Sequence, residues 1–333
     1  MKRRLFLAGA GASAFATALR ALAQSAGSPK KLGWLSPGNR GAHEKDIFTS
    51  LFRSRLRELG WTEGRNLVMV TRFAEGDSGR LKALAAELAA EAVNVIHVFF
   101  AAGVRAGREG APNTPIVFSI VGDPVEDGFV ASLARPGGNI TGATTRETEF
   151  YPKRLQLAKE LLPRAKRVAV LSDPPDRNPP RVERAAKELV NTGERLGLSV
   201  TRYHAGSLDE LAATFDRMLR ERTDVVLMHA YWLTGAKGRT LAVAQAARTR
   251  LPVVYPFSTF VYDGGLIAYS QSPPELARRA ANYVDKILRG ARPADLPIEE
   301  PSVFELTINM KTARSLGLTV PQSILLRTDR VVE

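Results

Sequence analysis

From Lys31 onward the chain repeats one local pattern, a short β-branched or apolar run followed by an amphipathic stretch. Candidate strands are Lys31 to Leu35, Asn66 to Phe73, Asn94 to Phe100 and Ile116 to Val121. Between them, Phe48, Phe52, Leu56 and Leu59 recur with a helical period, as do Leu81, Leu84, Ala85 and Leu88. A strand, a helix and a second strand in series make a parallel sheet covered on both faces. The pattern then starts again. Strands are expected at Arg167 to Ser172, Ser199 to Ala205, Asp224 to His229 and Pro252 to Tyr255, with helices at about Glu149 to Leu162, Arg181 to Leu196, Asp209 to Arg220 and Ala236 to Arg248. Two doubly wound α/β units follow, and 333 residues at 44% hydrophobic supply two cores of about 150 residues each.

Helix punctuation supports these boundaries. Ser207-Leu208-Asp209-Glu210 and Ser272-Pro273-Pro274-Glu275 both match the Ser-x-x-Glu capping box, the second with proline at the first helical position. The helix after Ser272 is expected to end at Gly290. Pro293 to Pro301 reads as an extended connector, followed by a strand at Phe304 to Ile308 and a helical turn at Lys311 to Leu316.

The N-terminus stands apart. Lys2-Arg3-Arg4 precedes an apolar run from Leu5 to Ala16 that is too short to span a bilayer. Ala21-Leu22-Ala23 supplies a small-x-small cleavage pattern, so residues 1–23 are expected to be a secretory signal peptide, and Arg3-Arg4-Leu5-Phe6-Leu7 suits the twin-arginine route to a periplasm. Gly9-Ala10-Gly11-Ala12-Ser13-Ala14 also matches a dinucleotide fingerprint. Arg3-Arg4 occupies the place of the strand that this fingerprint requires, so the glycines belong to the leader.

Cleavage after residue 23 removes Lys2, Arg3, Arg4 and Arg20 and lowers the net charge from +13 to +9. The remaining cations alternate with acids along helices, as in Arg53-Ser54-Arg55-Leu56-Arg57-Glu58, which is the pattern of a solvated face; no nucleic-acid partner is expected. Cysteine is absent, excluding thiolate metal sites, iron–sulfur clusters and disulfides. His43, His97 and His204 lack metal-ligand spacing, and no nucleophile elbow, P-loop or paired-carboxylate motif occurs. No cofactor, metal or enzymatic activity is therefore expected.

In an open α/β sheet ligands bind beyond the carboxyl ends of the strands. That rule selects Ser36-Pro37-Gly38-Asn39, Phe100-Ala101-Ala102-Gly103 and Gly122-Asp123-Pro124 in the first unit, and Asp173-Pro174, His229-Ala230-Tyr231-Trp232 and Pro256-Phe257 in the second. Two such edges facing each other form a cleft.

The block Ile116-Val117-Phe118-Ser119-Ile120-Val121-Gly122-Asp123-Pro124-Val125, continuing to Arg135-Pro136-Gly137-Gly138-Asn139-Ile140-Thr141-Gly142, resembles the ABC-transporter substrate-binding family that includes tryptophan- and phenylalanine-binding members. Lys153-Arg154-Leu155, Phe304-Glu305-Leu306-Thr307-Ile308-Asn309 and Thr319-Val320-Pro321 extend the resemblance toward the C-terminus. It implies a type I periplasmic binding protein fold, with two Rossmann-like lobes of parallel strands joined by three crossovers. On that model residues 31–141 and 270–298 form the N-terminal lobe and residues 142–269 and 299–333 the C-terminal lobe. Crossings fall near Thr141-Gly142, Tyr269-Ser270 and Glu299 to Ser302. The implied partners are a small solute, an aromatic or branched amino acid first among them, and the membrane permease of an ABC importer, with the receptor itself a monomer; a sensor or chemoreceptor is the alternative recipient. Val104-Arg105-Ala106-Gly107-Arg108 departs from the family's small-residue run after the third strand.

The candidate ligand contacts are Ser36, Pro37, Ala101, Ala102, Gly103, Asp123, Asp173, His229, Tyr231, Phe257 and Tyr269. Several suit a bland role equally well. Asp123 before Pro124 fits a helix N-cap as readily as a ligand ammonium. Asp173 before Pro174-Pro175 fits a loop cap, Ser36 a turn, Phe257 a core position and His229 a buried strand end. Tyr231 leads among the aromatic residues as a stacking face.

Overall fold

The computed structural model describes residues 28–173, 180–229, 233, 235–300 and 302–333; residues 1–23, assigned above to a leader, lie outside them. The first sheet holds β1 (Lys30–Ser36), β2 (Leu67–Phe73), β3 (Val95–Phe99), β4 (Ile116–Val121) and β5 (Ile140–Thr144), all parallel, in the order β2-β1-β3-β4-β5. The second holds β6 (Arg167–Ser172), β7 (Ser199–His204), β8 (Val225–His229), β9 (Val253–Tyr255), β10 (Ile267–Gln271), β11 (Phe304–Asn309) and β12 (Arg330–Val332), ordered β12-β11-β10-β9-β8-β6-β7.

Helices in chain order are α1 (Arg40–Lys45), α2 (Ile47–Glu58), α3 (Leu81–Ala90), α4 (Phe100–Gly110), α5 (Tyr151–Leu161), α6 (Pro180–Arg195), α7 (Glu210–Arg220), α8 (Ala236–Thr249), α9 (Ser258–Tyr262), α10 (Pro273–Leu288), α11 (Met310–Ser315) and α12 (Gln322–Leu325). Alternation along each strand feeds two cores per sheet. In β1, Leu32 and Trp34 pack under α2 and α10, whereas Leu35 packs under α3 and α4. In β6, Val168 and Val170 meet α5 and α6, and Ala169 and Leu171 meet α7 and α8.

The chain passes between the sheets three times: after β5, between β10 and α10, and between Ile298 and β11. Helix α10 follows a strand of the second sheet yet buries Leu276, Ala280 and Val284 against the first. This excursion explains a departure from the all-parallel expectation. Leaving β10 for the other lobe and returning beside it at the same end lets β11 pair antiparallel, with Ile267 opposite Ile308 and Gln271 opposite Phe304.

Other expectations need correction. Tyr269-Ser270 lies inside β10, so the second crossing comes after Gln271. Phe100, expected to end the third strand, opens α4, and Ala101 to Gly103 continue its first turn. Asp209 occupies the N-cap of α7 without a side-chain capping bond, and Glu210 instead accepts a bond from the Gly206 amide at 2.8 Å. Ser272 does occupy the N-cap of α10, but its side chain makes no capping bond: Pro274 has no N–H to offer, and Glu275 is drawn to Arg278 and Arg279, each at 2.7 Å. At Gly142 (φ +155°) a Cβ would stand 2.3 Å from the Phe118 carbonyl oxygen, so β5 approaches β4 as closely as it does only because the residue is glycine.

Candidate functional site

The carboxyl ends of the first sheet make one wall. After β1, the Ser36 hydroxyl accepts the Gly38 amide at 3.1 Å. The turn is then pinned by backbone bonds from Ala74, Glu75 and Gly76 to the carbonyls of Ser36, Gly38 and Pro37 at 2.9, 3.1 and 2.8 Å. The Ser36 side chain thus holds its own turn and keeps its hydroxyl hydrogen to donate.

Helix α4 begins at the end of β3 without a side-chain cap, because Phe99 stands at the N-cap. The first-turn amides around half-buried Ala101 and Ala102 therefore meet no capping oxygen. Gly103 is buried, and a Cβ there would come within 3.1 Å of Val98 Cβ; its role is to let α4 approach β3. After β4, Asp123 Oδ1 accepts the amides of Val125 and Glu126 at 3.0 and 2.9 Å, the capping geometry foreseen from Pro124. Asp123 also borders a cavity of about 220 Å³ whose walls include Gly122, Arg146 and Thr148 from the first lobe and crossover, and Arg184 from α6.

Backbone strain marks the same edge. Phe100 (φ +59°), Ile120 (φ +61°) and Arg146 (φ +44°) adopt left-handed conformations, and Ile120, a β-branched residue, does so where the β4–β5 register slips. Periodicity carries no sign of backbone handedness, so these positions were invisible in the sequence.

Beneath this wall lies a buried aromatic cluster. Trp34 packs against His43 and His97 at ring-centroid distances of 4.7 and 4.6 Å, and Phe99 stands edge-on to His97 at 4.7 Å. His97 Nε2 meets Ser119 Oγ at 3.0 Å and His43 Nδ1 meets Thr49 Oγ1 at 3.1 Å. Burial holds both imidazoles neutral. It lowers His97 to about 3, with His43 a further cause, and lowers His43 to about 4, helped by Arg53 and Arg40.

In the second lobe, half-buried Asp173 follows β6 directly, and its carbonyl accepts from His204 Nδ1 at 2.8 Å. Phe257 follows β9, caps α9 through its backbone and remains half-buried beside the α8/α9 core. Tyr231, Pro174 and Trp232 lie outside the described residues.

Two candidate contacts belong elsewhere. His229 is 1% exposed and stacks on Tyr151 at 3.6 Å, and burial, with Arg154 nearby, drives its pKa well below the ordinary value. It is a core residue, the reading a buried strand end favours. Tyr269 places its ring against Phe150 and Phe304 at 6.1 Å each, on the crossover side of the lobe. Sequence reasoning gave no role to Arg154, fully buried on α5, or to Gln271, whose Nε2 donates to the Thr145 carbonyl at 2.8 Å and ties the first crossover to the second.

Glu126 and Arg184 form an ion pair from one lobe to the other. Among the described residues no cluster of His, Asp or Glu is arranged to hold a metal, and no helix is long and apolar enough to cross a membrane.

The family model described as ABC transporter substrate binding protein matches residues 46–332. A tyrosine-binding protein from Clostridioides difficile is 24% identical over 272 residues, covering 80% of this chain and 75% of its own. Among solved structures, an ABC domain from Streptococcus pneumonia in complex with L-Trp superposes with a TM-score of 0.79 at 22% identity, over 92% of this chain and all of that one. A ligand-free, open substrate-binding protein with adhesive properties from Clostridium difficile gives 0.64 at 21% identity, over 91% of this chain and 99% of its own.

Proposed function

The chain belongs to the ABC transporter substrate-binding protein family, and from that premise we propose that it captures an α-amino acid with an aromatic or branched side chain between its lobes and delivers it to the permease of an ABC importer. The lobes meet at the three crossings described above, after β5, after Gln271 and between Ile298 and β11, and the protein acts as a monomer in the periplasm after export on the 1–23 leader. The observation that carries this reading is the first-lobe wall, where the uncapped amides of α4 stand beside the donor-ready hydroxyl of Ser36. Backbone donors at a helix N-terminus with a hydroxyl beside them suit a carboxylate. The carboxylate of Asp123 suits an ammonium from the first-lobe side, and Asp173 and Phe257 stand on the second-lobe side, where Phe257 with Tyr231 offers a face for an aromatic ring. The tyrosine-binding relative and the L-Trp-bound neighbour favour the same ligand class.

Delivery follows from closure. A ligand that touches both walls stabilises the closed form, and a permease that selects that form reads closure as the signal. The test is calorimetric titration of residues 24–333 with L-tryptophan, L-tyrosine, L-phenylalanine, L-leucine and L-aspartate. Saturable binding confined to the aromatic or branched members supports the reading; binding of L-aspartate alone, or of none of the five, overturns the ligand class.

A further inference from the structure

Arg154, within the Lys153-Arg154-Leu155 segment, is fully buried and spends its guanidinium on widely separated parts of the chain. Its Nη2 lies 2.5 Å from Glu147 Oε1 and donates to the Pro256 carbonyl at 3.0 Å, while Nε donates to the Tyr269 carbonyl at 3.0 Å. Glu147, 6% exposed, sits in the first crossover, Tyr269 in the strand that leads into the second, and Pro256 immediately before Phe257. One side chain thus joins the hinge to the second-lobe wall.

The first crossover is also gripped from the other side. The amides of Thr145 and Arg146 donate to the carbonyls of Val121 and Gly122 at 2.7 and 3.2 Å, and Thr144 Oγ1 donates to Gly122 at 2.7 Å. Thr145 is therefore fastened to the first lobe through its amide and hydroxyl, with its carbonyl tied to Gln271 at the second crossover, and Glu147 is fastened to the second lobe. Arg146, in its left-handed conformation, stands between them. A buried ion pair adds little net stability over apolar residues of the same volume, but it fixes the positions of the groups it touches.

We propose that the Glu147–Arg154 pair is a positioning element that pins the first crossover to the second-lobe wall, confining interlobe rotation to Arg146 and carrying Pro256-Phe257 as one body with the hinge. This rests on the two-lobed receptor reading, but the pin itself is testable without any ligand.

The chain has no cysteine, so Arg105→Cys with Lys187→Cys, both exposed and on opposite lobes, gives a clean spin-label pair. Glu147→Gln keeps the side chain's shape and removes its charge. In the ligand-free protein it is expected to widen the interlobe distance distribution about twofold, because rotation spreads to the residues after Arg146. In parallel the dissociation constant for L-tryptophan is expected to rise about tenfold. A lower melting temperature with the distance distribution and the L-tryptophan affinity both unchanged overturns the proposal and leaves the pair as simple support for the second lobe.

Should Glu147→Gln not fold, Glu147→Leu with Arg154→Met removes both charges together, and a distribution as narrow as the wild type in that variant overturns the proposal equally. If the wild type binds no L-tryptophan while the distributions still differ, the pin stands and only the ligand class falls.

Discussion

His97 offers the sharpest test of the buried cluster beneath the first-lobe wall. Its ring is fully buried between Trp34 and Phe99, and burial lowers its pKa to about 3 from an ordinary 6.5. The folded state thus holds the neutral ring, and protonation favours the unfolded chain. Stability from this group is complete above about pH 6.5, falls as pH drops from there toward about 3, and is level below. Each pH unit in that window costs about 1.4 kcal/mol for one proton, so His97 alone removes about 2 kcal/mol between about pH 6.5 and 5. His43, lowered to about 4, acts in the same direction. The perturbation is His97→Gln, whose amide can keep the contact with Ser119 Oγ but does not titrate. Urea denaturation at about pH 7 and about pH 5 isolates the effect, because carboxylate titration is common to both proteins and cancels in the difference. The variant is expected to start less stable, having lost ring packing, and then to lose about 2 kcal/mol less than the wild type on acidification. Parallel pH dependences would refute the argument that His97 is held neutral by burial.

Asp123→Ala removes the cap on the Val125 and Glu126 amides and should cost about 1 kcal/mol of stability. If Asp123 also meets the ligand ammonium, affinity for L-tryptophan falls by at least about tenfold as well, and a variant that is only less stable confines Asp123 to capping. Gly142→Ala forces a Cβ against the Phe118 backbone and should destabilise by about 3 kcal/mol, measured as a loss of soluble yield or a shift in urea midpoint. Arg184→Glu breaks the ion pair between lobes, whose side chains are 65% and 35% exposed. Ligand affinity should fall by less than about fivefold, with recovery on adding Glu126→Lys.

The double α/β organisation was legible because buried parallel strands and amphipathic helices write their periods directly into the chain. Arg167 to Ser172 and Ile116 to Val121 appear in the structure with the limits expected. Strands β5, β10 and β12 were not read: β5 is Ile-Thr-Gly-Ala-Thr and β12 only three residues, and neither carries a period. The antiparallel entry of β11 depends on α10 crossing to the other lobe, a tertiary event. At the candidate site, strand-end logic pointed to Ser36, Asp123, Asp173 and Phe257, which the structure places just beyond strands of the two sheets. It also gathered His229, because the end of a strand does not say which way a side chain turns, and Tyr269 came in only as a crossing residue. Arg154 was matched within Lys153-Arg154-Leu155 but given no role, since a lone arginine in an amphipathic helix looks solvated until its partners, distant in sequence, are folded around it.

Bonds that grip the crossovers, such as Gln271 to the Thr145 carbonyl or Arg154 to the Pro256 carbonyl, lie within a lobe or along the hinge and do not by themselves reward closing. The Glu126–Arg184 pair does reward it, but an exposed pair of this kind contributes no more than about 1 kcal/mol. Most of the free energy of closing must then come from the ligand, and a ligand shifts the equilibrium only by its difference in affinity for the two forms. On the proposed arrangement an amino acid's charged ends engage the first-lobe wall, and its ring reaches Phe257 only once the lobes have met. L-alanine, which has the charged ends without the ring, is therefore expected to compete weakly with L-tryptophan while leaving the interlobe distance of the spin-labelled protein unchanged. If L-alanine closes the lobes as fully as L-tryptophan does, recognition of the charged ends spans both walls, and the division of labour between the lobes is wrong.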